Sequence, residues 1–168
     1  LDLMNIPYQM DAKNNAIHLY FSSESHGNGN CQSIWKAVQN EVTAELTPPK
    51  PAVKKPKTFI SSFTTYYDKS LANRSTNLTL AAKSLNGVSL KPNQVFSFNQ
   101  TVGQRTPARG YKKAIIFVGK KQVYDYGGGI CQVSTTLYRA ALAAKLQILE
   151  RHSHSQPVSY ATLGKDAT

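Results

Sequence analysis

The spacing of apolar residues after residue 58 predicts a mixture of strands and helices. Residues 59–67 alternate loosely between apolar and polar, as a strand does. The helix that follows can be capped by Ser75 or Thr76 and ends at Asn86-Gly87. Its apolar residues recur three and four positions apart, so they lie on one face that a core must cover. They are Leu78, Ala81, Ala82 and Leu85.

Short apolar runs beside turn residues predict several further strands. Residues 91–93 (Lys-Pro-Asn) form one turn, Gly119-Lys120 form the turn of a hairpin, and Pro157 separates the last two strands. The predicted strands are residues 88–90, 95–98, 114–118, 122–126, 147–152 and 158–163.

A second long helix is predicted from Cys131 to about Lys145, directly after a turn of three glycines at residues 127–129. Alanines fill the spaces between its larger apolar residues, so the helix is apolar on most sides and is expected to be buried. The larger residues are Val133, Leu137, Leu142 and Leu146.

The first third of the chain differs in composition. A strand at residues 16–21, a loop at 22–30 and a helix at 32–46 with Asn30 as its cap predict a small α/β segment over residues 1–46, part of a domain. Residues 47–57 contain four prolines and four lysines, which favour an extended linker. Residues 58–168 then form the main domain, of the α+β class, with an antiparallel sheet packed on the buried helix that begins at Cys131.

Composition and charge narrow the function classes. Among the 168 residues 40% are hydrophobic and 17% charged, which fits a globular protein, so we expect a folded chain. Residues 58–168 hold fourteen basic and four acidic residues, a net charge of +10. Such a charge favours an anionic partner, such as nucleic acid, acidic lipid or an anionic cell-wall polymer, although a merely soluble basic surface is an open alternative.

Neither a membrane span nor a signal peptide is visible. No apolar run approaches the roughly 18 residues that a span requires, and Leu1 opens a chain that we expect to be processed or trimmed. Cys31 and Cys131 are too few for a disulfide framework or a four-thiolate zinc site.

Cys131 is the first candidate for chemistry. The glycine turn delivers it to the start of a helix, where the helix dipole and free N–H groups lower a thiol pKa and can hold an oxyanion. We therefore expect a nucleophile and its stabiliser in one turn. The residues of this oxyanion turn are Gly127, Gly128, Gly129, Ile130 and Gln132.

His152 and His154 are the candidate bases. In a strand they would point to the same face, and an imidazole is the usual proton acceptor for a cysteine nucleophile. Asp166, the one acid after the histidines, would orient the ring. This order of Cys, His and acid is similar to that of papain-like and transglutaminase-like cysteine enzymes, as an analogy of arrangement only.

Other interpretations remain open. Cys131 could be an inert core residue, it could form a disulfide with Cys31, or it could bind zinc with the histidines and Asp166. The glycines are not a phosphate loop, because no Gly-Lys-Ser/Thr follows them, and no aromatic residues interleave the lysines as nucleic-acid motifs require. We expect no metal, no cofactor and no nucleic-acid partner, and we expect a monomer.

Several motifs together resemble the VanW family of bacterial proteins. The similarity covers nearly all of residues 58–168. It departs at Asn93 and Lys145, where the family commonly has glycine. The matching motifs are Asn73-Arg74 with Asn77, Phe-Ser-Phe-Asn at 96–99, Val102-Gly103, Gly110-Tyr111, and the whole of residues 126–138, 150–160 and 164–168.

The resemblance implies a domain of Gram-positive cell-envelope proteins, often tethered to the membrane and combined with peptidoglycan-associated modules, and named for an accessory of glycopeptide-resistance clusters. The leading hypothesis is a cysteine-dependent acyl transferase or amidase that acts on cell-wall peptide or surface protein outside the cell. Arg109, Tyr111 and Arg151 would contact the substrate. The alternative is a non-catalytic module that binds peptidoglycan or an anionic wall polymer.

Overall fold

A computed structural model describes residues 3–6, 8–11, 16–24, 58–119 and 121–168 of the chain. The predicted helix at residues 32–46, most of the loop at 22–30, the linker at 47–57 and Cys31 lie outside the described residues. The alternative that Cys131 pairs with Cys31 is not supported, because Cys131 is a free cysteine in the structure. In the described ranges, no helix is long and apolar enough to cross a bilayer.

The main sheet is antiparallel and is organised around one long strand. Its strands are β1 (Leu3–Ile6), β2 (Tyr8–Asp11), β3 (Ala16–Glu24), β4 (Thr58–Tyr66) and β5 (Val88–Leu90). β2 and β1 pair one after the other along the same edge of β3, β4 pairs along its other edge, and β5 pairs with β1. Strands from both sides of the predicted linker thus share one sheet, while the domain division itself stays a prediction.

The remaining elements confirm the α+β class with small antiparallel sheets. Two longer helices, α1 (Ala72–Leu85) and α3 (Cys131–Ala143), accompany the short helix α2 (Phe98–Val102) and a 3-10 turn at Pro107–Arg109. β6 (Lys113–Val118) and β7 (Lys121–Tyr126) form a separate two-stranded sheet. The predicted hairpin is therefore confirmed, and so are the strands at the start of the domain and after α1.

The core lies between β3, α1 and α3. The predicted face of α1 is confirmed, because all four of its apolar residues are fully buried. Ile17, Leu19 and Phe21 of β3 pack into the same cluster. On α3, Val133 and Leu137 are buried as predicted, but Leu142 is 40% exposed, so this helix has a solvent face.

Polar side chains join α3 to β4 across this core. Ser61 Oγ donates to the Ala140 carbonyl at 2.8 Å, and the Thr65 and Thr136 hydroxyls lie 2.7 Å apart. Buried polar groups contribute to stability only when they are paired, and these pairs lie a helical turn apart on α3. They fix where α3 lies along the strand, and with it the position of Cys131.

Three predicted strands are wrong. Residues 95–98, 147–152 and 158–163 form no strand in the described chain. Large apolar side chains in these segments do not pack against a sheet. Val95, Leu149 and Leu163 are 68%, 64% and 79% exposed. Ser97 instead caps α2 by accepting the N–H of Gln100. Likewise α1 begins at Ala72, before the predicted caps Ser75 and Thr76.

The two departures from the family pattern share a backbone conformation. Asn93 and Lys145 are the non-glycine residues with positive φ in the described chain, at +63° and +57°. This left-handed region costs ordinary residues free energy, whereas glycine adopts it readily. The family therefore commonly has glycine at the two positions where this backbone adopts a positive φ.

Candidate functional site

The three glycines before α3 make room for parts of the chain that come from elsewhere. A side chain on Gly127 would meet Arg105 Cγ at 2.7 Å, and one on Gly129 would meet Arg74 Cγ at 2.7 Å. On Gly128 it would lie 2.6 Å from the backbone carbonyl of Ala114 in β6. The turn thus brings two arginine side chains and the backbone of β6 against the start of α3.

Asn77 of α1 holds this turn in place. Its amide nitrogen donates to the carbonyls of Gly128 at 3.0 Å and Lys112 at 2.9 Å, and its oxygen accepts the N–H of Lys112 at 2.8 Å. Asn77 is fully buried. One side chain therefore ties α1, the entry to β6 and the glycine turn together.

The Cys131 thiol is free and half-buried. Burial raises its pKa, although the charges of Arg105 and Arg74 and its own amide lower it in part. The negative charge of Asp166 adds to the increase. The expectation that the start of a helix lowers the pKa of this thiol is therefore wrong, because desolvation of the thiolate outweighs the nearby positive charges.

His154 and Asp166 form a close pair beside this thiol. His154 Nδ1 lies 2.6 Å from Asp166 Oδ2, and both side chains are 8% exposed. The backbone N–H of His154 donates to the same oxygen at 2.7 Å. Burial alone would raise the pKa of Asp166, but these bonds from His154 outweigh it and hold that pKa below its ordinary value.

The other ring nitrogen of His154 faces Tyr160 rather than the sulfur. Tyr160 Oη lies 3.3 Å from His154 Nε2, and the two rings meet edge to face. Burial raises the pKa of Tyr160, and the charge on Cys131 raises it further, so the phenol and the thiol are electrostatic neighbours. In the described chain no hydrogen bond joins Cys131 to His154, and a complete Cys-His-Asp triad is not seen.

His152 lies apart from this group. Its side chain is 69% exposed, and Nε2 pairs with Glu150 Oε1 at 2.8 Å. The expectation that His152 and His154 share a face rested on a strand at residues 147–152. That segment is not a strand, so the alternation does not apply.

Asp166 is positioned by its neighbours in the chain. Ala167 exchanges two hydrogen bonds with Thr135 Oγ1, each 3.0 Å long, and its carbonyl also accepts from Ser134 Oγ at 2.8 Å. The N–H of Thr168 donates to the His152 carbonyl at 2.9 Å. The segment therefore lies between α3 and the histidine loop, where it brings the carboxylate to His154.

The three predicted substrate-binding residues, Arg109, Tyr111 and Arg151, contact other parts of the protein. Arg109 donates to the carbonyls of Val102 and Gln104. Tyr111 is 2% exposed, in the core. Arg151 donates to the Asp166 and Gly164 carbonyls and lies 3.5 Å from the Asp166 carboxylate. Their contact with a substrate stays a prediction.

Two of the predicted oxyanion amides are used within the turn itself. The N–H of Ile130 donates to the Gly127 carbonyl at 3.2 Å, and that of Gln132 to the Gly129 carbonyl at 2.9 Å. The Gln132 side chain is buried and accepts from Arg74 at 2.7 Å while donating to Thr65 Oγ1 and the Tyr66 carbonyl. Gln132 therefore orients Arg74.

Arg74, Arg105 and Tyr160 were not predicted as site residues. Arg74 and Tyr160 stand in motifs that carry the family resemblance, which was the available signal. Arg105 had no such signal, since only the folded chain brings it over Gly127.

A cleft of about 190 Å³ opens beside His154 and Asp166, and its lining also includes Pro157 and Gly164. Within the described ranges, no three His, Cys, Asp or Glu residues are placed to hold a metal ion.

Fold and site together define an α+β domain that gathers a thiol, a His–Asp pair and two arginine side chains near the start of one helix. A family model described as VanW like protein matches residues 73–168. The chain belongs to this family.

Two curated relatives are similar to the chain. It is 40% identical over 136 residues to YoaR of Bacillus subtilis (strain 168), covering 81% of this chain and 42% of that protein. It is 37% identical over 101 residues to the vancomycin B-type resistance protein VanW of Enterococcus faecalis (strain ATCC 700802 / V583), covering 57% of this chain and 37% of that protein. The chain thus spans about two fifths of these relatives. No solved structure matches it.

Proposed function

We propose that the chain is a cysteine-dependent acyl-transfer domain that acts on amide bonds of bacterial cell-wall peptide. The observation that carries the proposal is the His154–Asp166 pair, joined at 2.6 Å and nearly buried, whose carboxylate charge reaches the Cys131 sulfur. An imidazole held by a carboxylate through Nδ1 has its other nitrogen available for proton transfer. The pair therefore suits a general base.

The raised pKa of Cys131 explains why a base is required. A thiol whose pKa is raised stays protonated near neutral pH and is a weak nucleophile until its proton is removed. Tyr160 Oη lies 3.3 Å from His154 Nε2, and the charge of Cys131 raises the pKa of the Tyr160 phenol. We assign it the relay position, passing the thiol proton to His154.

The reaction then follows in two balanced steps. The Cys131 sulfur attacks the amide carbonyl carbon, the C–S bond forms, and the C–N bond breaks as His154 returns the proton to the leaving amine. A thioester remains on Cys131. A second amine, in transfer, or water, in hydrolysis, attacks the thioester carbon, gives its proton to His154, and releases the sulfur, which recovers that proton. The resemblance of this order of groups to papain-like enzymes is an analogy of roles.

Charge and kinship favour a cell-wall substrate. The net charge of +10 on residues 58–168 attracts an anionic matrix. The Enterococcus faecalis relative is named for vancomycin resistance, and the family resemblance implies a domain of the cell envelope. A location outside the cell, at the wall or membrane surface, is part of the same proposal.

The test is to trap the thioester. Protein is mixed with peptidoglycan-derived peptides, quenched in acid, and its intact mass is measured. We expect an added acyl mass on Cys131 that is lost in Cys131→Ala, and a rate that falls about 10²-fold or more in His154→Gln because general base catalysis contributes that much.

His152→Gln is the matched control, because it removes the exposed imidazole two residues away and should leave the rate unchanged. Acylation that survives Cys131→Ala, or equal losses in the two histidine variants, would refute the proposal. A protein that binds peptidoglycan equally well with and without Cys131 and forms no thioester is instead the non-catalytic wall-binding module, the second candidate function.

A further inference from the structure

The side chains of Arg74 and Arg105 pack against the glycine turn, and the charges of both lower the pKa of the Cys131 thiol in part. Arg105 crosses Gly127, Arg74 crosses Gly129, and the charge of each reaches Cys131 two to four residues further along the chain. Neutral partners orient them, since Arg74 donates to Gln132 Oε1 and Arg105 to Asn99 Oδ1 at 2.6 Å. Two arginine side chains are thus held against the turn that leads into this thiol.

In the described chain neither of these two cations has an ion pair, although the charge of Asp68 acts on Arg74 from farther away. Neither guanidinium lies within 4.0 Å of a carboxylate there, whereas Arg151 has its ion pair with Asp166. Arg74 is half-buried, and desolvation lowers its pKa, which means that its charge is held at a cost. Partly buried charges are normally paired, so a ligand that supplies an anion would relieve that cost.

We propose that Arg74 and Arg105 form a carboxylate-binding site that selects the substrate of Cys131. The inference rests on the proposed acyl transfer and specifies its substrate class, a peptide with a carboxylate within about one residue of the attacked amide. A planar carboxylate matches the guanidinium fork. Consecutive Cα atoms are about 3.8 Å apart, so a carboxylate on the next residue lies close to the attacked amide.

A pair of alkylating reagents tests the site without requiring catalysis. In a Cys31→Ala background, Cys131 is the one thiol of the sequence. Iodoacetate carries a carboxylate and iodoacetamide does not, and the ratio of their rates cancels any change in the pKa of the thiol. We expect this ratio to be roughly three- to tenfold higher in the folded protein than in the urea-unfolded protein, and to fall as salt is added.

Charge variants assign the effect to the two arginines. Arg74→Gln and Arg105→Gln should each lower the ratio severalfold, while Arg74→Lys should keep most of it by retaining the charge. Lys83→Gln removes an equal charge from the last turn of α1, about 14 Å along the helix from Arg74, and should leave the ratio unchanged. An equal ratio in folded and unfolded protein, a thiol that neither reagent reaches, or an equal loss in Lys83→Gln overturns the inference.

Peptide pairs then identify the source of the carboxylate. Binding to Cys131→Ala protein is measured by calorimetry for a peptide with a free carboxyl terminus, its carboxyl-terminal amide, and a version in which a side-chain carboxylate becomes an amide. Loss of affinity on one amidation identifies the carboxylate, and the loss should vanish in Arg105→Gln. Equal affinities for all three peptides overturn the carboxylate site. Because neither measurement involves turnover, an absent thioester with a retained preference would refute acyl transfer alone.

Discussion

Replacement of Asp166 by asparagine removes the negative charge beside His154 and keeps a side chain of nearly the same shape. The carboxylate accepts two hydrogen bonds from His154, at 2.7 and 2.6 Å, in a site where its side chain is 8% exposed. Hydrogen bonds to a charged group contribute about 1.5–3 kcal/mol each. Asparagine keeps one acceptor oxygen, so we expect a loss of about 2 kcal/mol in the free energy of unfolding at pH 7.

The same substitution should change the pH dependence of stability. The pKa of Asp166 is lower in the folded protein than in the unfolded chain, so its contribution is complete well above the unfolded value of about 3.9. The contribution is lost as pH falls through the folded pKa. The difference in stability between the wild type and Asp166→Asn should therefore be largest near pH 7 and shrink below about pH 4.

Urea unfolding followed by far-UV circular dichroism, at pH values from 7 to 3, measures this difference. Glu150→Gln is the control, since it removes the charge of an acid that is 81% exposed and should change stability little. An Asp166→Asn protein that is as stable as the wild type at pH 7 would refute the reasoning. So would a difference that is independent of pH, because charge would then play no part.

Three further substitutions test the backbone of the site and domain by thermal and urea unfolding. Gly128→Ala would place a methyl group 2.6 Å from the backbone of Ala114, so we expect a loss of about 3 kcal/mol or failure to fold. Asn77→Ala removes the partner of the Lys112 N–H and of the buried Gly128 carbonyl, so we expect a loss of about 3 kcal/mol and faster hydrogen exchange of the Lys112 amide. Lys145→Gly relieves a left-handed φ at an exposed position, so we expect a gain of about 1 kcal/mol.

Local patterns predicted the elements that the core dictates. The four buried residues of α1 follow from helical spacing, and the β6–β7 hairpin follows from a glycine turn between two strand-forming runs. In both cases the residues that carry the pattern are near neighbours in the sequence. Short-range geometry is then sufficient.

The last segment shows where such patterns fail. Residues 147–163 contain strand-forming side chains, but strand propensity describes how well a side chain fits a half-buried surface, and no neighbouring strand provides that surface here. Leu149 and Leu163 remain exposed. Pairing of this segment is a tertiary property, and its composition does not encode it.

The residues of the candidate site were predicted only in part, because some of them belong to the site through their position in the fold and not through their residue type. Cys131, His154 and Asp166 are residue types that commonly act as nucleophile, base and orienting acid, so the sequence alone makes them candidates. The structure places His154 and Asp166 in contact. Tyr160 and Arg105 act through position instead, 29 and 26 residues from Cys131 in the sequence. The pKa of the thiol could not be predicted either, because burial by distant segments outweighs the helix dipole that the local sequence suggests.

The glycine turn itself offers the sulfur no functional group. Every charged or hydroxyl-bearing neighbour of Cys131 described above is supplied by α1, the segment before the hairpin, or the last fifteen residues. A newly made, still extended chain therefore carries an ordinary cysteine. Completion of folding is what gives that atom its particular surroundings, so the character of the thiol reports whether the whole domain has matured.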